Sequence, residues 1–239
     1  MPRTLRPLET TPHDEHFPGN SSLVAHLSIH GHLTSETYSA FVHTDRRFFV
    51  PRQLQPHAYC DIPLHHPSGI IISQPSVIAS TIKLLDIKPG AKILEIGTGT
   101  GYQASLISFV AGPKGKVTSI ENNKLVHELA KKAVREALKR VPEEFRGNVE
   151  LVHADGSRGW KASAPYDAIV FAAQTPAPVA RLVGRQLKEG GNLVAPISIR
   201  QGIQLLMSMT KRGGKLVINK GAIPVSFIPL EVQRKRAKK

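Results

Sequence analysis

Residues 93–105 read ILEIGTGTGYQAS, a short apolar run followed by three glycines spaced two apart. The apolar run predicts a buried strand, and the residues after the last glycine begin a helical pattern. Glycine permits positive φ values and a close approach of the backbone to a ligand. In α/β sheets, ligands bind at such strand–helix loops. This stretch therefore predicts a ligand-binding loop at the first strand of an α/β sheet.

Strand and helix patterns alternate along the rest of the chain. Helices are predicted at 74–87, 102–111, 123–138 and 178–187, and buried strands at 116–121, 148–155, 165–173 and 190–197. Two further strands, at 204–211 and 215–230, flank Gly213-Gly214 and are predicted to be antiparallel. The alternation predicts a doubly wound, Rossmann-like α/β fold with a parallel sheet and antiparallel C-terminal strands.

The first third of the chain lacks this alternation. SSLVAHLSIHGHL (21–33) and the residues from Ser35 onward predict two short helices. RRFFVP (46–51) ends at a proline, and residues 52–75 carry Pro, His and Gly at short intervals. That composition predicts a long loop. The sequence thus predicts an N-terminal helical extension followed by a loop.

The bulk composition limits the classes of protein. The 239 residues include one cysteine, Cys60, which excludes an intrachain disulfide and favours a reducing interior compartment. No stretch approaches about 20 apolar residues, and the N-terminus lacks the apolar segment of a secretory signal. We therefore expect a cytoplasmic protein, with a mitochondrial location as the alternative. The histidines show no metal-ligand spacing, so no metal site is predicted.

Positive charge is concentrated near the C-terminus. The formal net charge is +14, and residues 181–239 hold thirteen Lys and Arg against two Asp and Glu. The chain ends in RKRAKK, which is typical of a solvated, mobile tail. The same charge also suits contact with RNA, a ribosome or another acidic surface. Both interpretations stay open at this point.

The spacing of the loop glycines distinguishes two kinds of ligand. The dinucleotide pattern is G-x-G-x-x-G, but the spacing here is G-T-G-T-G, and Tyr102 stands where the third glycine would fall. A pyrophosphate is therefore disfavoured, whereas a nucleoside without phosphate still needs the close backbone approach. S-adenosylmethionine is such a ligand, and its ammonium and sulfonium charges explain a nearby carboxylate. The predicted cofactor-binding residues of this stretch are Glu95, Gly97, Thr98, Gly99 and Gly101.

Acidic residues at two later strand ends complete the predicted cofactor site. Glu121 ends the second strand of the sheet, where a carboxylate can accept hydrogen bonds from both hydroxyls of a ribose. Asp155, which is followed by Gly156, ends the third strand and can accept one from an adenine amino group. Either acid alone also fits a helix N-cap, and for Asp155 that alternative stays open. Together with the glycine loop, the two acids favour the cofactor site.

In this order, the motifs resemble those of the protein-L-isoaspartate (D-aspartate) O-methyltransferase family. ILEIGTGTGYQAS resembles the family's cofactor loop, and HADGSRGW (153–160) its third-strand motif. The stretches 164–197 and PVSFIPL (224–230) are also similar, as are LVAHL, FFVP, AYCDIPL and ISQP upstream. The resemblance covers residues 22–230. It implies a class I methyltransferase fold that uses S-adenosylmethionine.

The resemblance also implies a reaction. A methyl group is transferred from S-adenosylmethionine to the α-carboxylate of an L-isoaspartyl residue, or to a D-aspartyl residue, in a damaged protein. The ester collapses to a succinimide, which opens in part to normal aspartate, so methylation initiates repair. A carboxylate is already nucleophilic at neutral pH, so catalysis depends on alignment and on exclusion of water. The family's catalytic serine matches Ser73 in IISQP, which could also cap the following helix.

The sequence departs from the family pattern on the side of the methyl acceptor. Ile71 replaces a threonine, Ser76 replaces a His or Tyr, and His65-His66-Pro67 replaces Pro-Ile-Gly. After IPL, Glu231-Val232-Gln233 replaces a Thr-Asp-Lys type sequence. Ile71 predicts a more apolar acceptor pocket. Protonated His65 and His66 could bind a carboxylate, and the alternative is that both are exposed loop residues.

These interpretations divide the chain into four segments: a flexible arm (1–20), N-terminal helices with the acceptor loop (21–75), a methyltransferase domain (76–230) and a basic tail (231–239). An alternative function is that of a homologue with an altered acceptor or no activity, acting as a scaffold in a ribonucleoprotein such as a ribosome. The stretch FAAQTPAP (171–178) lacks the aromatic–proline motif of base methyltransferases, which disfavours methylation of RNA bases.

Overall fold

The structure, a computed structural model, describes residues 17–200 and 202–231. Most of the predicted arm and of the predicted basic tail lies outside these residues. The α-helices are α1 Asn20–Ile29, α2 Ser35–His43, α3 Pro75–Leu85, α4 Tyr102–Ala111, α5 Lys124–Leu138 and α6 Ala177–Gly184. The strands are β1 Leu64–His65, β2 Ile71–Ile72, β3 Lys92–Ile96, β4 Lys116–Glu121, β5 Asn148–His153, β6 Tyr166–Phe171, β7 Leu187–Arg200, β8 Ile203–Arg212 and β9 Lys215–Val225. Within the described ranges, no helix is long and apolar enough to cross a membrane.

The sheet places the glycine loop at a topological switch point. Its order is β5-β4-β3-β6-β7-β8-β9, with parallel pairing from β5 to β7 and antiparallel pairing of β8 and β9. The chain leaves β3 towards β4 on one side and later enters β6 on the other. Connections therefore diverge at the carboxyl ends of β3 and β6, where such sheets bind ligands. The predicted doubly wound sheet and antiparallel C-terminal strands are confirmed.

Both faces of the central strand β3 are buried, because helices cover both sides of the parallel part of the sheet. Ile93 belongs to a core cluster shared with α1 to α5, and Leu94 belongs to one shared with α6. The strongly amphipathic α5 buries Val126, Ala130 and Val134 on its inner face. The sheet therefore provides a rigid base for the loops at its edge.

The N-terminal helices belong to the main core. Leu23 of α1, Phe41 of α2 and Phe49 share a cluster with Ile82 of α3 and Tyr102 of α4. The rings of Phe41 and Tyr102 meet edge to face, with 6.1 Å between their centroids, a favourable aromatic geometry. This packing holds the segment before α3 against the helix that follows the glycine loop.

Residues 52–75 contain more regular structure than the predicted loop. Arg52–His57 forms a 3₁₀ helix, and β1 pairs with β2 as a short antiparallel hairpin. The His66 N–H closes the turn by donating to the Ile70 carbonyl at 2.9 Å. Gly69 has a φ of +87°, which favours glycine. The loop prediction was wrong here because strands of two residues are too short to produce a periodic pattern.

The last strand is shorter than predicted. β9 ends at Val225, and residues 226–230 cross to the loop after β6. The Gln174 N–H donates to the Ile228 carbonyl at 2.8 Å, and the Leu230 N–H donates to the Gln174 carbonyl at 2.9 Å. The residues on both sides of Val225 are similarly apolar, so the sequence pattern did not reveal this crossing.

Candidate active site

A cavity of about 680 Å³ lies at the carboxyl ends of β3, β4 and β6. Its volume falls within the usual range for small-molecule sites, roughly 300–1,000 Å³. One wall consists of the glycine loop, 96–100, and of residues 121–123. The opposite wall consists of residues 68–74, and residues 224–231 form a third wall. Segments far apart in sequence thus surround one space.

The start of the glycine loop is fixed by hydrogen bonds to β4. The N–H groups of Gly97 and Thr98 donate to the Ile120 carbonyl at 2.9 and 3.1 Å. The Thr98 hydroxyl also lies 2.6 Å from the hydroxyl of Ser119. These contacts hold the backbone of the loop at the edge of the cavity, which Gly97 and Thr98 both line.

Glycine is present at positions 99 and 101 for different structural reasons. Gly99 has a φ of +55°, and a Cβ built there would meet the Ile70 Cδ1 at 3.9 Å across the cavity. Gly101 has a φ of +86°, and a Cβ built there would collide with the Val134 side chain of α5. Gly99 is therefore favoured by its positive φ, and it leaves this part of the cavity lining without a side chain. Gly101 allows the start of α4 to pack closely against α5, and it does not line the cavity.

Glu121, at the end of β4, lines the cavity and is largely buried. One carboxylate oxygen accepts from the Gly99 N–H at 3.0 Å, and the other accepts from the Asn123 N–H at 2.9 Å. A carboxylate oxygen has two lone pairs, so each retains an acceptor position after these contacts. The side chain is held in place by the backbone and can still bind two hydroxyl groups.

Glu95 lies in β3 beneath the loop and does not line the cavity. Its side chain is fully buried and accepts from the Gln103 amide at 2.9 Å and from the Ser119 hydroxyl. Burial raises the pKa of Glu95 to about 7, against the lowering effect of these two hydrogen bonds. The residue connects β3, β4 and α4 under the glycine loop rather than facing a ligand.

Asp155 caps the short 3₁₀ helix at 156–158, accepting from the Ser157 N–H at 2.8 Å. The N-cap alternative from the sequence is therefore confirmed for this acid. Gly156, directly after it, lines the cavity. A Cβ on Gly156 would come within 2.6 Å of the Ile96 side chain. This glycine therefore lets the third strand end come close to the glycine loop.

Ser73 lines the cavity opposite the glycine loop. It does not cap α3, whose N-cap is Gln74. The capping contact comes from Asp61, which accepts from the Ser76 N–H at 2.8 Å and from the Gln74 amide at 3.2 Å. The capping alternative for Ser73 was therefore wrong. Its hydroxyl has no hydrogen-bond partner among the described residues, so it is available to a ligand.

The charges around the cavity suit a cationic nucleoside. Among the described residues that line it there is no Lys, Arg or His, and the acids are Glu121 and Glu231. Ile96 and Ile120 add apolar surface. A pyrophosphate would find no cationic partner in this lining, whereas the two carboxylates favour the positive charges of S-adenosylmethionine. The residues present thus fit the cofactor predicted from the glycine spacing.

A family model described as protein-L-isoaspartate (D-aspartate) O-methyltransferase matches residues 18–235. The chain belongs to this family. The protein-L-isoaspartate O-methyltransferase of Ignicoccus hospitalis is 38% identical over 210 residues, 87% of this chain and 95% of that protein. Its namesake from Myxococcus xanthus is 37% identical over 210 residues, 87% of this chain and 94% of that protein. The predicted family, and with it an S-adenosylmethionine-dependent protein methyltransferase, is confirmed.

Solved structures agree with this assignment. A structure named protein-L-isoaspartate O-methyltransferase has a TM-score of 0.74 and 29% identity, covering 88% of this chain and 65% of its own. A putative protein-L-isoaspartate O-methyltransferase from Plasmodium falciparum, in complex with S-adenosyl-L-homocysteine, has a TM-score of 0.73 and 20% identity. That match covers 90% of this chain and 99% of the other and shows the same fold.

The departures from the family pattern have clear positions in the structure. Ile71 lines the cavity beside two further isoleucines, Ile70 and Ile72, so this wall is apolar as predicted. His65 is exposed, and neither it nor His66 lines the cavity. The His66 Nδ1 accepts from the Ser68 N–H at 3.0 Å, and burial lowers the pKa of His66. Both histidines therefore match the loop alternative better than a carboxylate site.

The sequence did not identify two features of the site. Residues 226–230 form part of its wall, although the motif PVSFIPL was noted only as a strand. Arg46 is fully buried and donates to the Ser73 carbonyl at 3.1 Å. An arginine followed by another arginine, as in RRFF, gives no sequence signal of burial, because exposed pairs look the same.

Proposed function

We propose that this chain methylates the α-carboxylate of L-isoaspartyl or D-aspartyl residues in damaged proteins and so initiates their repair. The observation that carries this proposal is that the glycine loop, Glu121 and Ser73 line the same cavity. The part of the cavity formed by residues 96–100 and 121–123, the cofactor half, keeps the motifs of the family, and the part formed by residues 68–74, the acceptor half, includes the unpartnered hydroxyl of Ser73. Bound there, S-adenosylmethionine supplies the methyl group.

In the cofactor half, Glu121 would accept hydrogen bonds from the two ribose hydroxyls, because each of its oxygens has a free lone pair. The backbone of Gly97, Thr98 and Gly99 would approach the ligand closely, since no side chain intervenes at the glycines. Gly156 would border the adenine. We assign Asp155, Glu95 and Gly101 to the support of this half, through the cap, the buried hydrogen bonds and the packing described above.

In the acceptor half, Ser73 is the proposed catalytic residue. Its hydroxyl would donate to one oxygen of the substrate carboxylate and leave the other oxygen directed at the methyl group. A carboxylate needs no strong general base, so orientation supplies most of the rate enhancement. The apolar wall at 70–72 and the segment at 226–230 would exclude water from the reacting atoms.

Turnover on a peptide pair tests the function directly. One peptide carries an isoaspartyl residue, and its control has the same sequence with normal aspartate. We expect methyl incorporation from labelled S-adenosylmethionine into the isoaspartyl peptide only. Cofactor binding without turnover on either peptide would instead favour an altered acceptor, and absence of both would support a scaffold role.

Ser73→Ala tests the assigned catalytic role. A lost hydrogen bond to a charged group costs about 1.5–3 kcal/mol, so we expect kcat/KM to fall by about tenfold to a hundredfold. Affinity for S-adenosylhomocysteine, measured by calorimetry, should stay within threefold of the parent value (on the order of 0.6 kcal/mol). Ser80→Ala is the matched control, because Ser80 lies in α3 outside the cavity. Equal loss of activity and cofactor affinity would indicate a folding role for Ser73.

We also propose that the basic C-terminal region contacts RNA. Arg181, Arg185, Arg212 and Lys215 are exposed. The Lys211 ammonium donates to the Arg185 and Leu187 carbonyls at 3.1 and 2.6 Å, which places the end of α6 next to β8. Such a surface would bind a polyanion with an affinity that falls as salt rises.

We place the protein in the cytoplasm, and cell fractionation would distinguish that location from the mitochondrion.

A pair of charge reversals tests the RNA contact. Arg181→Glu with Arg185→Glu should weaken binding to single-stranded RNA, whereas Lys132→Glu with Arg135→Glu, on the exposed side of α5, should not. Methyl transfer to a peptide should be the same in both variants, since none of the four residues lines the cavity. Equal RNA binding by both double variants would refute this partner.

A further inference from the structure

Arg46 is a fully buried arginine whose hydrogen bonds connect residues 58–62 with Ser73. Its side chain has 0% exposure and donates four hydrogen bonds to backbone carbonyls. The Nη1 atom donates to Ala58 and Cys60 at 3.1 and 2.8 Å, and the Nη2 atom donates to Ile62 and Ser73 at 3.0 and 3.1 Å. The planar guanidinium can serve several carbonyls at once because its donors have a fixed fork geometry. One side chain therefore sets the position of Ser73 relative to residues 58–62.

The charge of Arg46 is not neutralised by a direct ion pair. All four acceptors are uncharged carbonyls, and its Nε has no hydrogen-bond partner among the described residues. Asp61 is near enough to interact electrostatically, but its carboxylate is engaged by Ser76 and Gln74. Burial lowers the pKa of Arg46 to about 10, so the group stays protonated at neutral pH. A positive charge is therefore fixed behind the acceptor wall, which is the cavity wall formed by residues 68–74.

The cavity has a matching need for positive charge. No Lys, Arg or His occurs among the described residues that line it, while Glu121 and Glu231 do. A substrate carboxylate placed at Ser73 would lose water on binding, and apart from the positive charges of the cofactor no cationic side chain of the described lining would attract it. Burying a carboxylate without a compensating charge or hydrogen bond is costly. Arg46 lies one hydrogen bond behind Ser73, which lines the cavity.

Resting on the proposed function, we infer that Arg46 is a positioning residue for the methyl acceptor: its fork fixes Ser73, and its charge supplies the positive potential that attracts the acceptor carboxylate. The two contributions are separable. The fork acts on the geometry of the acceptor wall and therefore on any molecule bound there. The charge acts only on an anionic acceptor, because a neutral molecule of the same shape gains nothing from it.

A pair of peptides separates these contributions. One carries an isoaspartyl residue, and the other carries its α-carboxamide analogue, which cannot be methylated and serves as a neutral competitive inhibitor. We expect Arg46→Met to weaken binding of the carboxylate peptide about tenfold more than binding of the carboxamide peptide. Arg46→Lys keeps the charge and loses the fork, so it should weaken both peptides equally. Arg47→Met is the matched control, because the Arg47 side chain is 52% exposed, and both affinities should stay unchanged.

Asp61→Asn provides a second variant that does not remove the buried arginine. The amide can still accept from the Ser76 N–H, but it no longer offsets the charge of Arg46. The preference for the carboxylate peptide over the carboxamide should therefore increase, by about twofold to fivefold. Binding of S-adenosylhomocysteine, measured by calorimetry on each variant, reports whether the cofactor half is intact.

The inference and the proposed function fail in different ways. If the parent protein does not methylate the isoaspartyl peptide, the proposed function fails. If the parent turns over but the ratio of the two peptide affinities is the same in Arg46→Met or Asp61→Asn as in the parent, Arg46 does not act through its charge and the inference is overturned. Should Arg46→Met lose cofactor binding as well, Asp61→Asn decides the question by the same ratio.

Discussion

Glu95 and Glu121 lie on neighbouring parallel strands, yet their surroundings give them different tasks. Glu121 faces the cavity, and backbone N–H groups contact one lone pair of each oxygen. Glu95 faces the interior between β3 and α4, where side chains of Ser119 and Gln103 use its oxygens. Glu95 therefore supports the glycine loop from below, while Glu121, at the end of the next strand, lines the cavity.

Glu121→Gln should weaken cofactor binding. The amide replaces one oxygen by an NH₂ group, which faces a backbone N–H of Gly99 or Asn123 and cannot accept from a ribose hydroxyl. Hydrogen bonds to charged groups contribute about 1.5–3 kcal/mol each, so the Kd for S-adenosylhomocysteine should rise about tenfold to a hundredfold. Calorimetric titration measures this change. Glu128→Gln on exposed α5 is the control, and an unchanged Kd for Glu121→Gln would refute the ribose assignment.

Glu95 should make the stability depend on pH. Its pKa is raised to about 7 by burial, above its ordinary value near 4.5. The folded protein therefore holds this proton more tightly than the unfolded chain, so stability is lost as pH rises from about 4.5 through 7. Over that window, Glu95→Gln should lose less unfolding free energy than the parent, with a difference of about 3 kcal/mol. Urea unfolding at pH 5 and pH 8 measures it, and parallel pH profiles would contradict a raised pKa.

At the scale of elements, regular periodicity was predictable and chain crossings were not. The strands β3 to β7 and the helix α5 followed from apolar runs and from a strong helical pattern in the sequence. The hairpin β1–β2 has only two residues in each strand, and the crossing at 226–230 depends on hydrogen bonds between residues far apart in the chain, such as Gln174 and Ile228. The burial of Arg46 depends on four carbonyls that come together only in the folded chain. These features leave no local pattern, so sequence analysis could identify Ser73 by resemblance but not what holds it.

Gln204 of β8 should control the crossing segment. Its amide nitrogen donates to the Phe227 carbonyl at 3.1 Å, and its amide oxygen accepts from the Phe227 N–H at 2.9 Å. Gln204→Leu keeps the size and removes both contacts, which contribute about 1 kcal/mol each. We expect faster amide exchange at 226–230 and a KM for the isoaspartyl peptide that rises about fivefold. Thr210→Val in the same strand is the control. Unchanged amide exchange at 226–230 in Gln204→Leu would show that Gln204 does not hold this segment in place.

At the scale of the whole molecule, the cavity depends on three regions of the chain that share one core. The hairpin and Ser73 come before α3, the glycine loop and Glu121 belong to the central strands, and residues 226–230 follow the last strand. The N-terminal helices pack into the same cluster as α4 and α5. A ligand in the cavity would therefore contact all three regions at once, and its binding energy would stabilise the fold as a unit.

S-adenosylhomocysteine should accordingly raise the thermal midpoint of the whole protein. A ligand present at a hundred times its Kd stabilises the folded state by about 2.7 kcal/mol. For a chain of this length, each kcal/mol corresponds to about 2–4 °C, so we expect a shift of about 5–10 °C in a single calorimetric transition. The dinucleotide NAD is the control, because its pyrophosphate would find no cation among the described lining residues.

Glu121→Gln should show a smaller shift than the parent at the same ligand concentration. A shift with NAD that equals the shift with S-adenosylhomocysteine would mean that the glycine spacing does not discriminate against phosphate. If neither ligand changes the midpoint, the cavity is not the cofactor site, and the assignments of Glu121 and Ser73 fail together.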